Sequence, residues 1–301
     1  MRDWLDSDAV HGFRTSPIAV LSCLLLWLLI GGAVLAPWIA PQNPFDLGRV
    51  SLMDSSQPPM SPAADGDRTY FLGTDQQGRD MLSAILYGLR VSLLVGGLAV
   101  AFAVVVGVTI GLVSGYVGGF VDLVLMRIAD VQLTFPAVLT ALLVDGSIRA
   151  ALPRSVHDSL QLHVVVFSIG ISLWPSLART VRGSTMVERG KDYVLAARVI
   201  GVPSWRVALT HVLPNVVGPV MVIATLGLGM AILAEATLSF LGVGLPASRP
   251  SLGTLIKYGG DYLYSGSWWM AAFPGLALML LVLAINLLGD WLRDALTPGL
   301  R

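Results

Sequence analysis

Residues 189–214 read RGKDYVLAARVIGVPSWRVALTHVLP. This charged, amphipathic run lies between two apolar segments, each long enough to cross a bilayer. In 191–200, Tyr193, Val194, Ala197 and Ile200 fall on one helical face. Gly201 suits the left-handed residue that ends a helix, and Pro203 prevents simple continuation. Ser204 is placed to cap a second helix, in which Trp205, Ala208, Leu209 and Val212 recur at i, i+3, i+4 and i+7. Two short helices around a sharp corner are expected, each with one apolar face. Ala196 and Ala197 would let another surface approach the backbone closely. Such a corner held against a membrane serves chiefly to receive force from a soluble partner.

Helix–Gly–helix also occurs in DNA-binding helix-turn-helix units. The place between two spans and the lack of a basic face argue against that here. The formal net charge is zero, which leaves no electrostatic footprint for nucleic acid.

Outward from this loop the chain is strongly apolar. Of its 301 residues 55% are hydrophobic and only 13% charged, against roughly a quarter charged in a soluble domain. It reads as an integral membrane protein. A helical crossing takes about 20 apolar residues, and six segments qualify: 17–39, 91–114, 120–144, 161–181, 215–239 and 268–290. The expected fold is all-α with six transmembrane helices. The first apolar run, of about 20 residues, exceeds the usual 7–15 of a cleaved signal, so a retained anchor is expected. Cys23 is the sole cysteine and excludes an internal disulfide.

Six spans put both termini on one side. Arg179, Arg182, Arg189, Lys191, Arg198 and Arg206 cluster in or beside the fourth loop, and positive residues near span ends stay in the cytoplasm. Arg2, Arg14, Arg293 and Arg301 then also lie inside, and the loop carrying Arg49, Arg68, Arg79 and Arg90 lies outside. The organisation is a cytoplasmic segment 1–16, a first span 17–39, an extracytoplasmic loop 40–90, a core 91–290 of five spans and a cytoplasmic tail 291–301. Pro41, Pro44, Pro58, Pro59 and Pro62, with Asp65-Gly66-Asp67, mark an irregular outer loop. Met81, Leu82, Ile85, Leu86 and Leu89 share one helical face behind a capping Asp80. A short helix over 80–89, lying on the outer membrane surface, is expected.

Ionisable groups inside spans are functional candidates by default. Span three carries Asp122, Arg127 and Asp130, the last two spaced to pair at i, i+3. Glu235 lies about 30 Å along span five from Asn215. It is either an interfacial carboxylate or an outer-gate or subunit-contact residue. Asp290, at the end of span six, is expected to be solvated. No G-x-x-x-x-G-K-[ST] occurs, since Gly190-Lys191 continues with Asp192; the chain has no P-loop for ATP. His11, His157, His163 and His211 are scattered without a metal-ligand pattern. No G-x-S-x-G elbow is present, which leaves an intramembrane hydrolase without a nucleophile. An ion-coupled secondary transporter would need inverted repeats and midplane carboxylates, and no clear repeat is evident.

At 195–214 the pattern Leu-Ala-Ala-x3-Gly-x9-His-x-Leu-Pro resembles the EAA motif, E-A-A-x3-G-x9-I-x-L-P, of permease subunits of ATP-binding-cassette importers. Ala196, Ala197, Gly201, Leu213 and Pro214 match. Leu195 stands where the motif has Glu and His211 where it has Ile; Glu188, Lys191 and Asp192 are the nearby charges that could replace the lost acid. Leu72-Gly73-Thr74-Asp75-Gln76-Gln77-Gly78-Arg79-Asp80 resembles the LGTDxxGRD signature of the dipeptide, oligopeptide and nickel branch. Tyr87-Gly88-x-Arg90-x-Ser92-Leu93, Gly115-Tyr116-x-Gly118-Gly119-x-x-Asp122, Arg127-x-x-Asp130, Leu238-Ser-Phe-Leu-Gly-Val-Gly244, Phe273-Pro-Gly275 and Asn286-Leu-x-Gly-Asp290-x-Leu-Arg-Asp294 extend it to the C-terminus. The chain is most similar to the C-type permeases.

The resemblance implies a type I importer permease in a prokaryotic cytoplasmic membrane. It implies a heterodimer with a B-type permease, with the solute path between the two. Two cytoplasmic ATPase subunits would hold ATP and Mg, and an extracytoplasmic binding protein would deliver substrate. This chain itself would be non-catalytic and hold no cofactor or metal. Residues around 191–203 would form the coupling helix, with Asp192, Tyr193, Ala196, Ala197, Arg198, Gly201, Leu213 and Pro214 as the coupling set. Di- or oligopeptides are the expected cargo; nickel chelates or another small solute are the alternative.

Overall fold

The computed structural model describes residues 8–46, 48, 50–64, 66, 68–153, 157–246 and 249–296. Arg2, Arg49, Asp65, Asp67 and Arg301, counted above, lie outside them, as do the side chains of His11 and His157. Within the described residues the chain is mostly helical; between the first two spans it is irregular, with a 3-10 turn at Leu52–Asp54 and a two-residue antiparallel pairing of Ser61–Pro62 with Thr69–Tyr70. A short helix α1 (Asp8–Thr15) leads into α2 (Pro17–Ile39), which Ser16 caps at its start. Then follow α3 (Met81–Val117), α4 (Gly119–Leu133), α5 (Ala137–Ala151), α6 (His157–Glu188), α7 (Asp192–Val199), α8 (Ser204–Phe240), α9 (Leu252–Asp261) and α10 (Trp269–Leu296).

Five of these, α2, α3, α6, α8 and α10, are each long and apolar enough to cross a membrane. The third expected span is not one helix. It breaks at 134–136, and α4 and α5 meet at 94°. Pro136 is the reason: its ring excludes an amide and disfavours α conformation in Phe135 before it. The bent pair nevertheless runs from one side of the bundle to the other. Asp122 of α4 binds Arg182 near the 189–203 loop, while Arg149 of α5 donates to the Val243 carbonyl beyond the far end of α8. Counted as one crossing, this pair brings the candidate spans among the described residues to the six expected.

The second span differs from expectation at its start. Residues 80–89 do not form a separate helix on the membrane surface. Asp80 does cap, accepting from the Ser83 amide at 2.8 Å, but what it caps is the whole 37-residue α3. Nothing between 89 and 91 breaks α geometry, so the amphipathic segment and the span are one rod. Its first turns are buried, through Met81, Ala84, Ile85 and Leu89, against α9 and α10. Helix α9, inserted between the fifth and sixth spans, is buried through Leu252 and Leu255 in the same cluster.

The tightest packing joins α3 to α6. Gly107, Gly111 and Gly115 recur every fourth residue, on one face. A β-carbon there would lie 2.6 Å from Leu177 Cβ, 2.5 Å from the Ala178 oxygen and 2.7 Å from the Arg182 oxygen. Small residues in this spacing let backbones approach where lipid offers no hydrophobic drive for association.

Candidate coupling site and its supports

Helix α7 ends at a corner set by backbone chemistry. Gly201 has φ of 83°. Its amide donates to the Arg198 carbonyl at 3.0 Å, and the Val202 amide to Ala197 at 3.1 Å. These are the two bonds of a Schellman stop, which favours glycine because a side chain at positive φ crowds the backbone. The second helix starts differently from expectation. Ser204 is its first helical residue, and Pro203 occupies the cap position without a side-chain bond. Nor is that helix short. It continues through a π turn at Ala208–Val212 into the fifth span. Pro214 has no amide to donate and its ring crowds the carbonyl four residues back, so the turn widens. The Leu213 amide bonds back to Ala208 across it, and Asn215 Nδ2 donates to the His211 carbonyl at 2.7 Å.

The corner sits on the bundle by one face only. Val194 and Ala197 are buried with Val207, Val212 and Val216 against Leu112 of α3 and Val181 of α6. Ala197 therefore packs inward, and of the alanine pair only Ala196 faces outward. Tyr193 and Ile200, placed by spacing on one apolar face with Val194 and Ala197, are exposed, as are Trp205 and Leu209 of the second helix, whereas Val207, Ala208 and Val212 are buried. The outer surface carries a compact apolar cap of Val199 (86% exposed), Ile200 (79%) and Trp205 (63%), with Leu195 beside it.

Polar contacts lock this cap to the spans. Arg189 Nη1 donates to the Gly115 and Tyr116 carbonyls at 3.1 and 2.9 Å, where a cation meets the negative end of α3. The Arg198 guanidinium lies 4.9 Å from the Tyr116 ring centroid, within cation–π range. Glu188 is not a free replacement for the acid missing at 195. It is buried, pairs with Lys191 at 2.7 Å and accepts from the Tyr193 hydroxyl. Asp192 lies exposed in the first turn of α7.

The outer signature is a buried knot. Asp75 and Arg79 form an ion pair at 2.6 Å. The Thr74 hydroxyl donates to the Asp54 carbonyl at 2.5 Å and accepts from the Gln57 amide at 2.8 Å, while Trp269 of α10 donates to the Thr74 carbonyl at 3.1 Å. Gly73 and Gly78 both have positive φ, and a β-carbon at Gly78 would lie 2.0 Å from the Ser51 oxygen. Burial pushes the Asp80 carboxyl above the usual range, while the Ser83 hydroxyl and amide and Arg68 pull it back. Asp54, which also accepts from the Ala64 amide and the Tyr70 hydroxyl, is a hub that spacing alone did not reveal.

The intramembrane charges are also rearranged. Asp130 pairs with Arg179 of α6, not with Arg127 on its own helix, and Asp122 takes a two-pronged contact from Arg182 at 2.5 and 2.6 Å. Glu235, read from the sequence as an interfacial carboxylate or an outer-gate or subunit-contact residue, does not face outward. It is fully buried between α3, α8 and α9, accepting from Ser92 at 2.9 Å and Ser239 at 2.7 Å. The Leu252 amide, at the start of α9, donates to Ser92. Asp290 is exposed, as expected.

Residues 107–301 match the family of inner-membrane components of binding-protein-dependent transport systems, and residues 5–59 match the N-terminal transmembrane domain of oligopeptide transport permease C. The chain is similar to the dipeptide transport system permease protein of Escherichia coli K12, at 42% identity over 291 residues, covering 97% of this chain and 92% of that protein. It is also similar to the di/tripeptide transport system permease protein of Pseudomonas aeruginosa, at 36% identity over 97% of this chain and 91% of that one. The dipeptide permease of Haemophilus influenzae is 35% identical over 96% of this chain and 93% of its own length.

Proposed function

The chain belongs to the family of inner-membrane components of binding-protein-dependent transport systems, and from that premise we propose that it is the C-type permease subunit of an ATP-driven importer of di- or oligopeptides. It would pair with a B-type permease, receive cargo from an extracytoplasmic binding protein and take its energy from two ATPase subunits holding ATP and Mg. Both termini would lie in the cytoplasm, as the arginine cluster around the 189–203 loop supports. The corner at 192–205 is the surface on which one ATPase subunit docks. ATP hydrolysis in the partners moves this corner, and the rigid rod of α8 carries the movement into the membrane.

The observation that carries this reading is the two-sided corner. Val194, Ala197 and Val207 fasten it to α3 and α6, while Val199, Ile200 and Trp205 form an apolar cap with nothing among the described residues over it. An exposed apolar patch of this kind marks a docking surface. With no acid at 195, docking rests on apolar shape rather than on a charge there. The test is ATP-driven dipeptide uptake by the reconstituted complex. Ile200→Glu and Trp205→Ala should each lower uptake at least tenfold while the permease pair still assembles. Normal uptake in both would remove the coupling assignment. Uptake of no member of a dipeptide panel would remove the peptide assignment.

A further inference from the structure

The break in the third span needs an environment that lipid cannot supply. Gln132, two residues before the break, donates its side-chain amide to the Ile171 carbonyl of α6 and accepts from Trp174 at 2.9 Å. Ile171 lies about 16 Å along α6 from Leu160 and about 26 Å from Glu188. In a hydrocarbon core about 30 Å thick, the break is therefore close to mid-depth. Residues 133–137 are all exposed there. The carbonyls of Leu133, Thr134 and Phe135 and the amides of Ala137, Val138 and Leu139 have no hydrogen-bond partner among the described residues. Irregular backbone at such depth is tolerated only where protein covers it or water lines it.

Beside the break lies a cavity of about 410 Å³, within the range of small-molecule sites. Its wall is mostly apolar, with Leu133, Phe135, Leu173 and Ile223 among its residues, and the polar points on it are Gln132, Thr140, Ser172 and Ser176. One turn beyond Ser176, toward the coupling loop, stands the Asp130–Arg179 ion pair, with side chains 44% and 51% exposed. Arg127, one turn earlier on the same face of α4, is exposed and makes no ion pair among the described residues. The three charges sum to plus one.

We infer that the concave face around residues 134–136 is the wall of a water-filled passage, and that Arg127, Asp130 and Arg179 form a net-positive collar at its loop-side mouth that meets the carboxylate of a small zwitterionic solute. The inference rests on the permease reading above. Water satisfies the open backbone groups of the break, and the collar draws the anionic end of the cargo toward the exit. The Asp130–Arg179 pair keeps the mouth from becoming a trap, because each charge already has a partner to which it returns.

The test uses the assembled complex in inverted vesicles, with Cys23→Ser and single cysteines at Thr140, Ser176 or, as a lipid-facing control, Trp27. Membrane-impermeant anionic and cationic methanethiosulfonates are the probes. Ser176→Cys and Thr140→Cys should react at least tenfold faster than Trp27→Cys; equal rates would overturn the passage. At Ser176→Cys the anionic reagent should be favoured. That preference should fall at least threefold with Arg179→Gln or Arg127→Gln and return with Arg179→Lys. An unchanged ratio in both glutamine variants would overturn the collar. Arg127 has no ion pair among the described residues, so its variant reads the charge even if Arg179→Gln fails to assemble. Thiol modification needs no transport. Failure of the wild-type complex to take up peptides would therefore sink the cargo assignment and leave the passage result standing.

Discussion

Glu235 shows how a single residue changes meaning with its surroundings. A carboxyl wholly inside the protein is costly unless hydrogen-bonded, and here the Ser92 and Ser239 hydroxyls supply the bonds while Ser92 also receives the Leu252 amide. The group thus ties α3, α8 and α9 together. Replacing it by leucine strands buried hydroxyls, at about 1–3 kcal/mol each. Glu235→Leu should therefore lower the thermal midpoint in detergent by several degrees, and Glu235→Gln, which keeps an acceptor, by much less. Equal losses would show that the carboxyl contributes only volume. The Asp75–Arg79 pair makes a second case: breaking a buried pair on one side costs about 3–5 kcal/mol, so Arg79→Ala should impair folding far more than Arg90→Ala at an exposed position, as judged by yield of the folded permease.

Asp80 carries a pH signature. Burial raises its carboxyl above 3.8, so the folded state binds more protons than the unfolded chain between 3.8 and the raised value. Stability must fall as pH rises through that window. Asp80→Asn keeps an acceptor for the Ser83 amide and removes the slope. The stability of the wild type relative to this variant should decline from pH 4 upward; a flat difference would show that Asp80 is not held by burial.

At the scale of elements, the coupling corner is where local sequence and packing part company. The stop at Gly201 is legible because positive φ is a backbone property, and the structure has it at 83°. Gly201→Ala costs about 1–2 kcal/mol of left-handed strain. It should uncouple ATP hydrolysis from uptake while leaving the spans folded, measured as ATPase rate against transported peptide. Which face of α7 stays open was not legible. Val194, Ala197, Ile200 and Tyr193 are compatible with one stripe, and only the position of α3 and α6 decides that Ile200 and Tyr193 point away. Ala197→Leu should therefore unseat the corner from the bundle, whereas Ala196→Leu should perturb docking alone. Protease sensitivity of the isolated permease should rise in the first and not in the second.

Over the whole molecule, the α3–α6 seam sets the distance between the outer knot and the coupling loop. Helix α3 begins at the Asp75–Arg79 knot and ends under Arg189, so one rod spans both sides. Gly111→Leu would place a side chain where a β-carbon alone meets the Ala178 oxygen at 2.5 Å. It should lower the yield of assembled permease severely, whereas Gly97→Leu on the same helix, with open space around it, should not. Equal yields would show that the glycine spacing is incidental.

Composition and apolar run length alone determined that the chain is helical and membrane-embedded with six apolar segments, found as five unbroken spans and a bent sixth among the described residues, because a bilayer leaves so few ways to satisfy a backbone. The P-loop's absence and the Gly201 stop were equally local facts. The continuity of α3, the bend at Pro136, the burial of Ala197 and Glu235 and the pairing of Asp130 with Arg179 were decided only in the tertiary structure. Each depends on what stands across from a residue, on helices far away in the chain, and hydrophobic periodicity records that a face is apolar without recording which neighbour will cover it.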